Sequence, residues 1–558
     1  MLSITCYGGV GEIGGNKILL EDSGASVMLD FGKSFSGESR FFDEFLKPRT
    51  NSALRDLLAL ELLPPIPGIY RHDMLKHAGA WDVVRDELPK LARGMYESDL
   101  ESYEDFVESG KKTLDGILLS HAHADHVQSL CFIDPNIPVY CTQATYDIMR
   151  AVQEVGTGSY ESDICECRIR SHEPSSVKST FPGTLRIVTD KSSSPRDIRV
   201  VEPFKPFDVG DYKVKAIPVD HSVPGACAFL IKAPSGKIVV YTGDLRFHGR
   251  FSLPPHDLTS ELRRRTKGLQ PDVLITEGTR IKDSGSDSEK DVEDNIRSVV
   301  ESCDGLVIVD FGWKDTSRFE TILNVARATK RTLAVSPKLA YLWSLLRASN
   351  PDGFPDLEES GIVRVYLERT GSMTYSPGDY TGSKYKVGTL VEWDKKEMPA
   401  AWEADDMDYL APRLCHYYNG VRAFEIAADP SKYMLHGGYF DIAELFDLNP
   451  PRGRSVFIRA ATDPFSEEMR LDAAKLANWL RFFGIKSYGV EEQEGDAREI
   501  LSHVSGHATG SDLLPFIKDM RPKMVIPVHT EAPEVFEREL AEVADVALPE
   551  LQRPIKVP

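Results

Sequence analysis

The chain has 558 residues, 41% hydrophobic and 27% charged, an ordinary soluble balance and enough, at roughly 150 residues per compact unit, for three or four units. No stretch reaches the ~18 consecutive apolar residues of a membrane helix, which excludes an integral membrane protein of that type. Acidic residues outnumber basic ones 86 to 66, a net charge of −20, which argues against a protein that coats nucleic acid through its global charge and leaves room for an enzyme with a locally basic cleft.

The N-terminal MLSITCYGGVGEIGG has neither a basic n-region nor an apolar h-region, so no secretory signal is expected. Its GVGEIG, Gly9 to Gly14, fits the G-x-G-x-x-G dinucleotide fingerprint. That fingerprint requires a helix after the loop to aim its N-terminus at a pyrophosphate. Here the loop runs into KILLED, a Ser23-Gly24 turn and ASVMLDFG, which predicts a hairpin and makes the glycines a tight backbone turn. Residues 33–112 have helical texture interrupted by LLPPIPG and ending in the acidic SDLESYEDFVES, and are expected to form a solvated helical insertion in which His72 and His77 have surface or core roles.

Beyond Asp115 the texture changes to short apolar runs with small or polar ends: DGILLS, KIVVYTGD, DVLITEGT, GLVIVDFG, SVFIRAA and KMVIPVH. These predict buried strands. Amphipathic helices alternate with them, one running from a capping Ser466 to a terminating Gly484, so the architecture is α/β. Breaks are expected across 282–294 and 368–411. The eight cysteines form no C-x-x-C pair, Cys165 and Cys167 being the only close ones, which supports neither a zinc ribbon nor a disulfide scaffold; reduced thiols and a cytoplasmic location are expected. Cys227 reads as a small core residue, and Arg263-Arg264-Arg265 as a solvated face.

The densest chemical signal is LLSHAHADHV, where His121, His123, Asp125 and His126 follow an apolar strand within six residues. Alternate spacing lets His121 and His123 reach one metal while Asp125 and His126 face a second. Imidazole with carboxylate suits zinc, with manganese or iron as alternatives. Further ligands stand at other strand ends: His221 in VDHSVPGA, Asp244 in YTGD, placed to bridge two ions, and His529 in PVHTE. A dinuclear site accounts for this repeated placement.

HAHADH, DHSVPGA and YTGD, with Asp30 closing SVMLDFG, resemble the ordered motifs of the metallo-β-lactamase superfamily. TEGT with Glu277, HVSGHATG with His507 and PVHTE with His529 resemble the three additional motifs of its β-CASP nuclease branch. SGHA followed twenty-two residues later by PVH, together with the opening GGVGEIGGN, is most similar to the ribonuclease J type. The resemblance implies a four-layer αβ/βα metallo-β-lactamase sandwich with an inserted α/β β-CASP domain: 1–280 and 496–558 in the sandwich, 281–495 in the insertion. It also implies two zinc ions, one on His121, His123 and His221, the other on Asp125, His126 and His529, bridged by Asp244. A water shared by two such ions has its pKa lowered to roughly 7. Asp125, Glu277 and His507 are the expected catalytic residues, with His507 positioned by Glu277 to steady the phosphate or protonate the departing oxygen.

The implied activity is hydrolysis of RNA phosphodiester bonds, endonucleolytic, 5′-exonucleolytic or both. DNA-processing members of the branch place Val where this chain has His529, which favours RNA. The alternatives are a same-fold hydrolase of DNA or of a small phosphodiester or ester, and a non-catalytic RNA-binding subunit. In DFGWKDTSRFE, Ser317 and Arg318 occupy the place of the family's phosphate-contacting stretch, and Ser505 is a third candidate contact. RNA is the expected partner, with a homodimer as the candidate assembly and no membrane. His248 and His503 are expected to be supporting or surface groups. The family's TGSQGE-type stretch is not found, the broad region containing RAFEIAADPSKY instead, and 29 residues follow His529, room for one helix over APEVFERELAEVA.

Overall fold

The computed structural model describes the chain apart from residues 44, 77–98, 157–158, 175–184, 253–256, 286, 358–360, 370–419, 465 and 491–499. His77, Cys415 and most of the expected 368–411 break therefore lie outside the described residues.

The opening glycines turn the chain from strand Ser3–Gly8 into Lys17–Asp22, which pairs antiparallel with Ala25–Leu29. No helix follows the loop, so it lacks what a pyrophosphate needs. These three strands begin a seven-stranded sheet that continues through Gly116–Leu118, Val139–Thr142 and Ile198–Val201, with Pro554–Lys556 on its other edge. A second seven-stranded sheet is ordered Asp545–Val546, Met524–Pro527, Val273–Thr276, Ile238–Tyr241, Cys227–Lys232, Tyr212–Pro218 and Pro206–Val209. Both chain ends thus feed the same pair of sheets.

Strand alternation decides the layers. Ile4, Leu20, Val27 and Leu118 of the first sheet meet Val214, Phe229, Val239, Ile275 and Ile526 of the second in one buried core, which holds the sheets face to face. The opposite faces bury helices. Met28, Ile117 and Val139 pack under helices Ala53–Ala59 and Gln143–Val155. Ala228, Val240 and Leu274 pack under Leu258–Thr266, Gly510–Met520 and Glu534–Leu540. Helix, sheet, sheet and helix make the four-layer α/β sandwich that the motifs imply.

Between Val273–Thr276 and Met524–Pro527 the chain builds a third, all-parallel sheet in the order Gly420–Arg422, Val363–Leu367, Thr332–Val335, Tyr433–His436, Val307–Asp310, Val456–Arg459 and Lys486–Tyr488. Helices cover both of its faces, which explains why its strands read as continuous apolar runs. Val307 and Val309 face Phe319, Ile322 and Trp343 on one side, while Ile308 and Phe457 face Leu445, Leu476 and Leu480 on the other. The helix expected after Ser466 spans Glu467–Phe483, with Ser466 Oγ accepting from Met469 N and Gly484 ending it in the left-handed region. The expected break at 282–294 is only half a loop. Ser288 and Asp291 form a reciprocal cap there, and helix Glu289–Glu301 begins inside the acidic stretch because that cap satisfies its first amides.

A buried ion pair joins two helices that pack on the third sheet. Arg318 on helix Thr316–Thr329 donates to both carboxylate oxygens of Glu289, at 2.7 and 3.1 Å, and to the carbonyls of Ala460 and Ser502. Burial pushes the Glu289 carboxyl up, but Arg318 outweighs it and holds the group down at about 2. The stability this carboxylate adds is complete above about pH 4.5, its ordinary value, and is lost as pH falls towards 2. Glu289→Gln leaves the guanidinium buried beside a neutral partner and should cost roughly 3–5 kcal/mol by denaturant unfolding at pH 7. The gap to wild type should narrow steadily below pH 4.5; a pH-independent gap would contradict this assignment.

Candidate metal centre

The histidine motif folds as a strand end and a single helical turn. Strand Gly116–Leu118 delivers Ser120 and His121, His123 precedes the turn Ala124–Val127, and the turn points Asp125 and His126 back towards the strand ends. His221 follows strand Tyr212–Pro218, Asp244 follows Ile238–Tyr241, Glu277 follows Val273–Thr276 and His529 follows Met524–Pro527. The seven expected ligands thus converge from both sheets on one spot. Their donor atoms fall into two groups, His121, His123, His221 and Asp244, and Asp125, His126, Asp244 and His529, each with all donor atoms within 4.8 Å of one another. A third group, Asp244, Glu277, His507 and His529, adjoins them.

Asp244 stands at the centre and is 1% exposed. Its Oδ2 lies 3.2 Å from His126 Nε2, 3.6 Å from both His121 Nε2 and His529 Nε2, and 3.9 Å from both His221 Nε2 and His507 Nδ1. Asp125 Oδ2 lies 3.2 Å from His529 Nε2 and 3.8 Å from His126 Nε2. The far nitrogens of the rings are held from outside. Nδ1 of His121 meets Ser120 Oγ at 3.0 Å, Nδ1 of His126 meets Asp30 Oδ2 at 2.7 Å, Nδ1 of His221 meets the Gly506 carbonyl at 2.6 Å, and Nδ1 of His529 meets Thr279 Oγ1 at 2.8 Å. His123 is reversed, with Nε2 against Ser222 Oγ at 3.3 Å and Nδ1 turned inward to the Nε2 atoms of His121 and His221. Outer hydrogen bonds of this kind fix the orientation of imidazoles that ligate a metal.

The fit to a cation is testable on the orphaned atoms. Among the described residues, His126 Nε2 and Asp244 Oδ1 are buried with no hydrogen-bond partner. Such groups cost free energy unless something satisfies them. Burial, reinforced by neighbouring imidazoles, holds His121 and His123 well below the ordinary histidine value, and burial lowers His221 to about 3, so these rings are neutral and able to ligate. Burial also opposes a charge on His126, yet Asp244, Asp125 and Asp30 outweigh it and raise that ring well above its ordinary value. Asp125 and Asp244, although burial pushes them up, are held well below the carboxylate range, chiefly by His126. A site this rich in carboxylate charge and neutral nitrogen donors fits a divalent metal.

The glycine loop has its role here. Gly15 N donates to the Asp125 carbonyl, Gly9 O accepts from His529 N at 2.7 Å, and a side chain on Gly14 would meet Asp125 Cβ at 2.7 Å. Glycine at φ +83° lets the backbone pass behind a ligand-bearing turn.

His507 Nδ1 and Glu277 Oε2 are 2.9 Å apart, and Glu277 Oε1 accepts from Leu245 N at 2.8 Å, so the carboxylate is anchored and orients the ring. Burial disfavours the charged imidazole, but Glu277 overcomes this and raises His507 to about 9. Ser505 lies beside His507, its Oγ accepting from His507 N. Ser317 and Arg318 are not brought to the cluster. Ser317 Oγ accepts from Arg246, and all three guanidinium nitrogens of Arg318 are engaged with Glu289 and backbone carbonyls, so this stretch offers no phosphate contact through Arg318. His503 is half-buried beside Arg318, and His248 Nε2 donates to the Ser505 carbonyl. Cys227 is buried in the core. Arg264 and Arg265 pair with Glu261, while Arg263 and Arg265 lie over Phe247 and Phe204, as expected of a helix face. The motifs do not mark Ser120, Ser222, Thr279 or Tyr241, whose hydroxyl donates to Asp30 at 2.6 Å; a hydroxyl residue next to a ligand is the signal for Ser120 and Ser222 alone.

A family model described as a beta-lactamase superfamily domain matches residues 104–306, and one described as a Zn-dependent metallo-hydrolase RNA specificity domain matches residues 497–546. Ribonuclease J of Sinorhizobium meliloti is 26% identical over 435 residues, covering 76% of this chain and 59% of that protein. Ribonuclease J of Mycoplasma genitalium is 22% identical over 440 residues, covering 77% and 60%. The chain therefore spans less than two thirds of the length of these curated relatives. A solved structure of a protein of unknown function from Enterococcus faecalis V583 shares the fold, with a TM-score of 0.62 at 19% identity over 99% of both chains.

Removing metal should uncover the orphaned donors. Chelator-treated protein should melt at a lower temperature than untreated protein, and zinc at a hundredfold excess over its dissociation constant should restore about 2.7 kcal/mol. Asp244→Asn should abolish most of this zinc-dependent rise; a melting temperature indifferent to zinc in the wild type would contradict the assignment.

Proposed function

We propose that this chain, which belongs to the metallo-β-lactamase superfamily and to its β-CASP, ribonuclease J-like branch, hydrolyses RNA phosphodiester bonds with two zinc ions as cofactor. The observation that carries the reading is the position of Asp244 Oδ2, within 3.9 Å of imidazole nitrogens from His121, His126, His221, His507 and His529. His121, His123 and His221 would hold one ion, Asp125, His126 and His529 the other, with Asp244 between them. When bound, two such ions supply a nucleophile from water at neutral pH and offset the charge that develops on the phosphoryl oxygens.

The chain's own residues do the rest. Asp30 and Thr279 fix the tautomers of His126 and His529 by accepting or sharing the Nδ1 proton, so the inner nitrogens stay available. His507 holds a proton at neutral pH because Glu277 stabilises it, and with Nδ1 committed to Glu277 its Nε2 is the atom free to steady a phosphoryl oxygen or pass a proton to the departing one. Glu277 is a positioning residue, acting through His507. RNA as the substrate is supported by the match of residues 497–546, which contain His507 and His529, and by the relatives' name. No helix among the described residues is long and apolar enough to cross a membrane. The proposed compartment is the cytoplasm and the proposed assembly a homodimer.

End-labelled RNA and DNA of matched sequence test the reading. The zinc-loaded wild type should cut the RNA and leave the DNA intact. His507→Ala should cut RNA about 10²–10⁴-fold more slowly with its zinc content retained. Equal cleavage of RNA by both proteins, or none by the wild type, would sink the proposal.

A further inference from the structure

The hydrogen bonds behind the metal cluster run deeper than its ligands. Asp30 follows strand Ala25–Leu29 of the first sheet, is buried, and takes φ +55°, a left-handed conformation that costs a non-glycine residue free energy unless its surroundings hold it. Its carboxylate meets four groups there. Oδ1 accepts from Ser120 N at 2.7 Å, while Oδ2 accepts from Ser120 Oγ at 2.7 Å and from Tyr241 Oη at 2.6 Å, and lies 2.7 Å from His126 Nδ1.

Of these groups only the phenol comes from the second sheet, where Tyr241 ends strand Ile238–Tyr241 and is fully buried. Burial, and then the charge of Asp30, push the phenol well above its ordinary value, so it keeps its proton and donates. With that proton given to Asp30, Tyr241 Oη accepts in turn from Asn16 Nδ2 at 3.0 Å. The chain Asn16, Tyr241, Asp30, His126 starts at the glycine loop, crosses to the second sheet and returns behind a ligand whose Nε2 is 3.2 Å from Asp244. Asn16 is not placed for stability alone. It is 1% exposed, and among the described residues its Oδ1 has no hydrogen-bond partner, which costs free energy. A side chain on Gly9 would collide with that oxygen, so the loop closes directly over the amide.

We propose that Asn16 and Tyr241 are positioning residues of the metal centre: through Asp30 they hold His126 Nδ1 outward, so that Nε2 is offered to a cation beside Asp244. A donor to the carboxylate partner of an imidazole acts on the ligand itself, because that carboxylate sets the orientation and basicity of the ring. The inference rests on the metal-centre reading and holds whether the substrate is RNA or another phosphodiester.

The test uses the full chain, stripped of metal and titrated with zinc against a fluorescent chelator, comparing wild type, Tyr241→Phe, Asn16→Leu and, as a control, Tyr212→Phe. Tyr212 is a second fully buried tyrosine of the same inter-sheet core, and its Oη donates to the Ala25 carbonyl at 3.4 Å rather than to Asp30. Y241F should weaken zinc binding about 10–100-fold and N16L about tenfold, while Y212F stays within about threefold of wild type. In protein carrying isotope-labelled histidine, the His126 Nδ1–H resonance should shift in Y241F and N16L and stay in place in Y212F. Wild-type zinc affinity in Y241F would overturn the proposal, as would an equal loss in Y212F, which marks a weakened core, or a loss with the resonance unmoved. Should Y241F not fold, N16L decides by the same outcomes. A wild type that binds no zinc would overturn the metal-centre reading itself, and this inference with it.

Discussion

The structure depends on one buried carboxylate. Asp244 sits where the ends of several strands meet, almost inaccessible to solvent and ringed by imidazole nitrogens. The arrangement sets opposing demands on its rings: His121, His123 and His221 are held neutral by burial while His126 is driven towards charge by three carboxylates. The outer hydrogen bonds with Ser120, Asp30, Gly506 and Thr279 orient the rings, and among the described residues the inner atoms His126 Nε2 and Asp244 Oδ1 have no hydrogen-bond partner. Divalent cations resolve that conflict, since each nitrogen lone pair and each carboxylate oxygen then faces positive charge.

The sandwich exists, in this view, to bring strand ends from two sheets to that point. Strand Gly116–Leu118 belongs to one sheet, and the strands before His221, Asp244, Glu277 and His529 belong to the other. The third sheet contributes the far wall. Arg246 donating to Ser317 and Arg318 donating to the Ser502 carbonyl are buried contacts that cross the junction and hold that wall against the cluster. The −20 net charge of the chain is compatible with a phosphate-bearing substrate because positive charge is needed only locally, where cations would sit.

Much of this was legible in the residues. Short apolar runs with polar ends located the strands Ile238–Tyr241, Val273–Thr276 and Met524–Pro527, and the loop after Gly14 lacks the helix of the nucleotide fingerprint because KILLED continues as a mostly buried strand of a hairpin. The seven expected ligands do converge, since strand-end placement leaves few directions for a side chain to point. What was not legible was side-chain commitment across the fold. Arg318 reads as a phosphate contact at a helix start, yet Glu289, twenty-nine residues earlier, claims it, and no local pattern announces a partner at that separation. The same holds for Tyr241, which reaches Asp30 across 211 positions, and for the start of helix Glu289–Glu301, set by a Ser288–Asp291 cap inside a stretch whose acidity suggested a break.

On the proposed reading, the Asp244-centred cluster binds two metal ions and RNA hydrolysis needs both. Adding zinc stepwise to metal-free protein while recording the initial rate of RNA cleavage tests it most directly. Little activity is expected up to one equivalent per chain, then a steep rise to two and a plateau beyond. Full activity in metal-free protein, or saturation of the rate at a single equivalent, would contradict it.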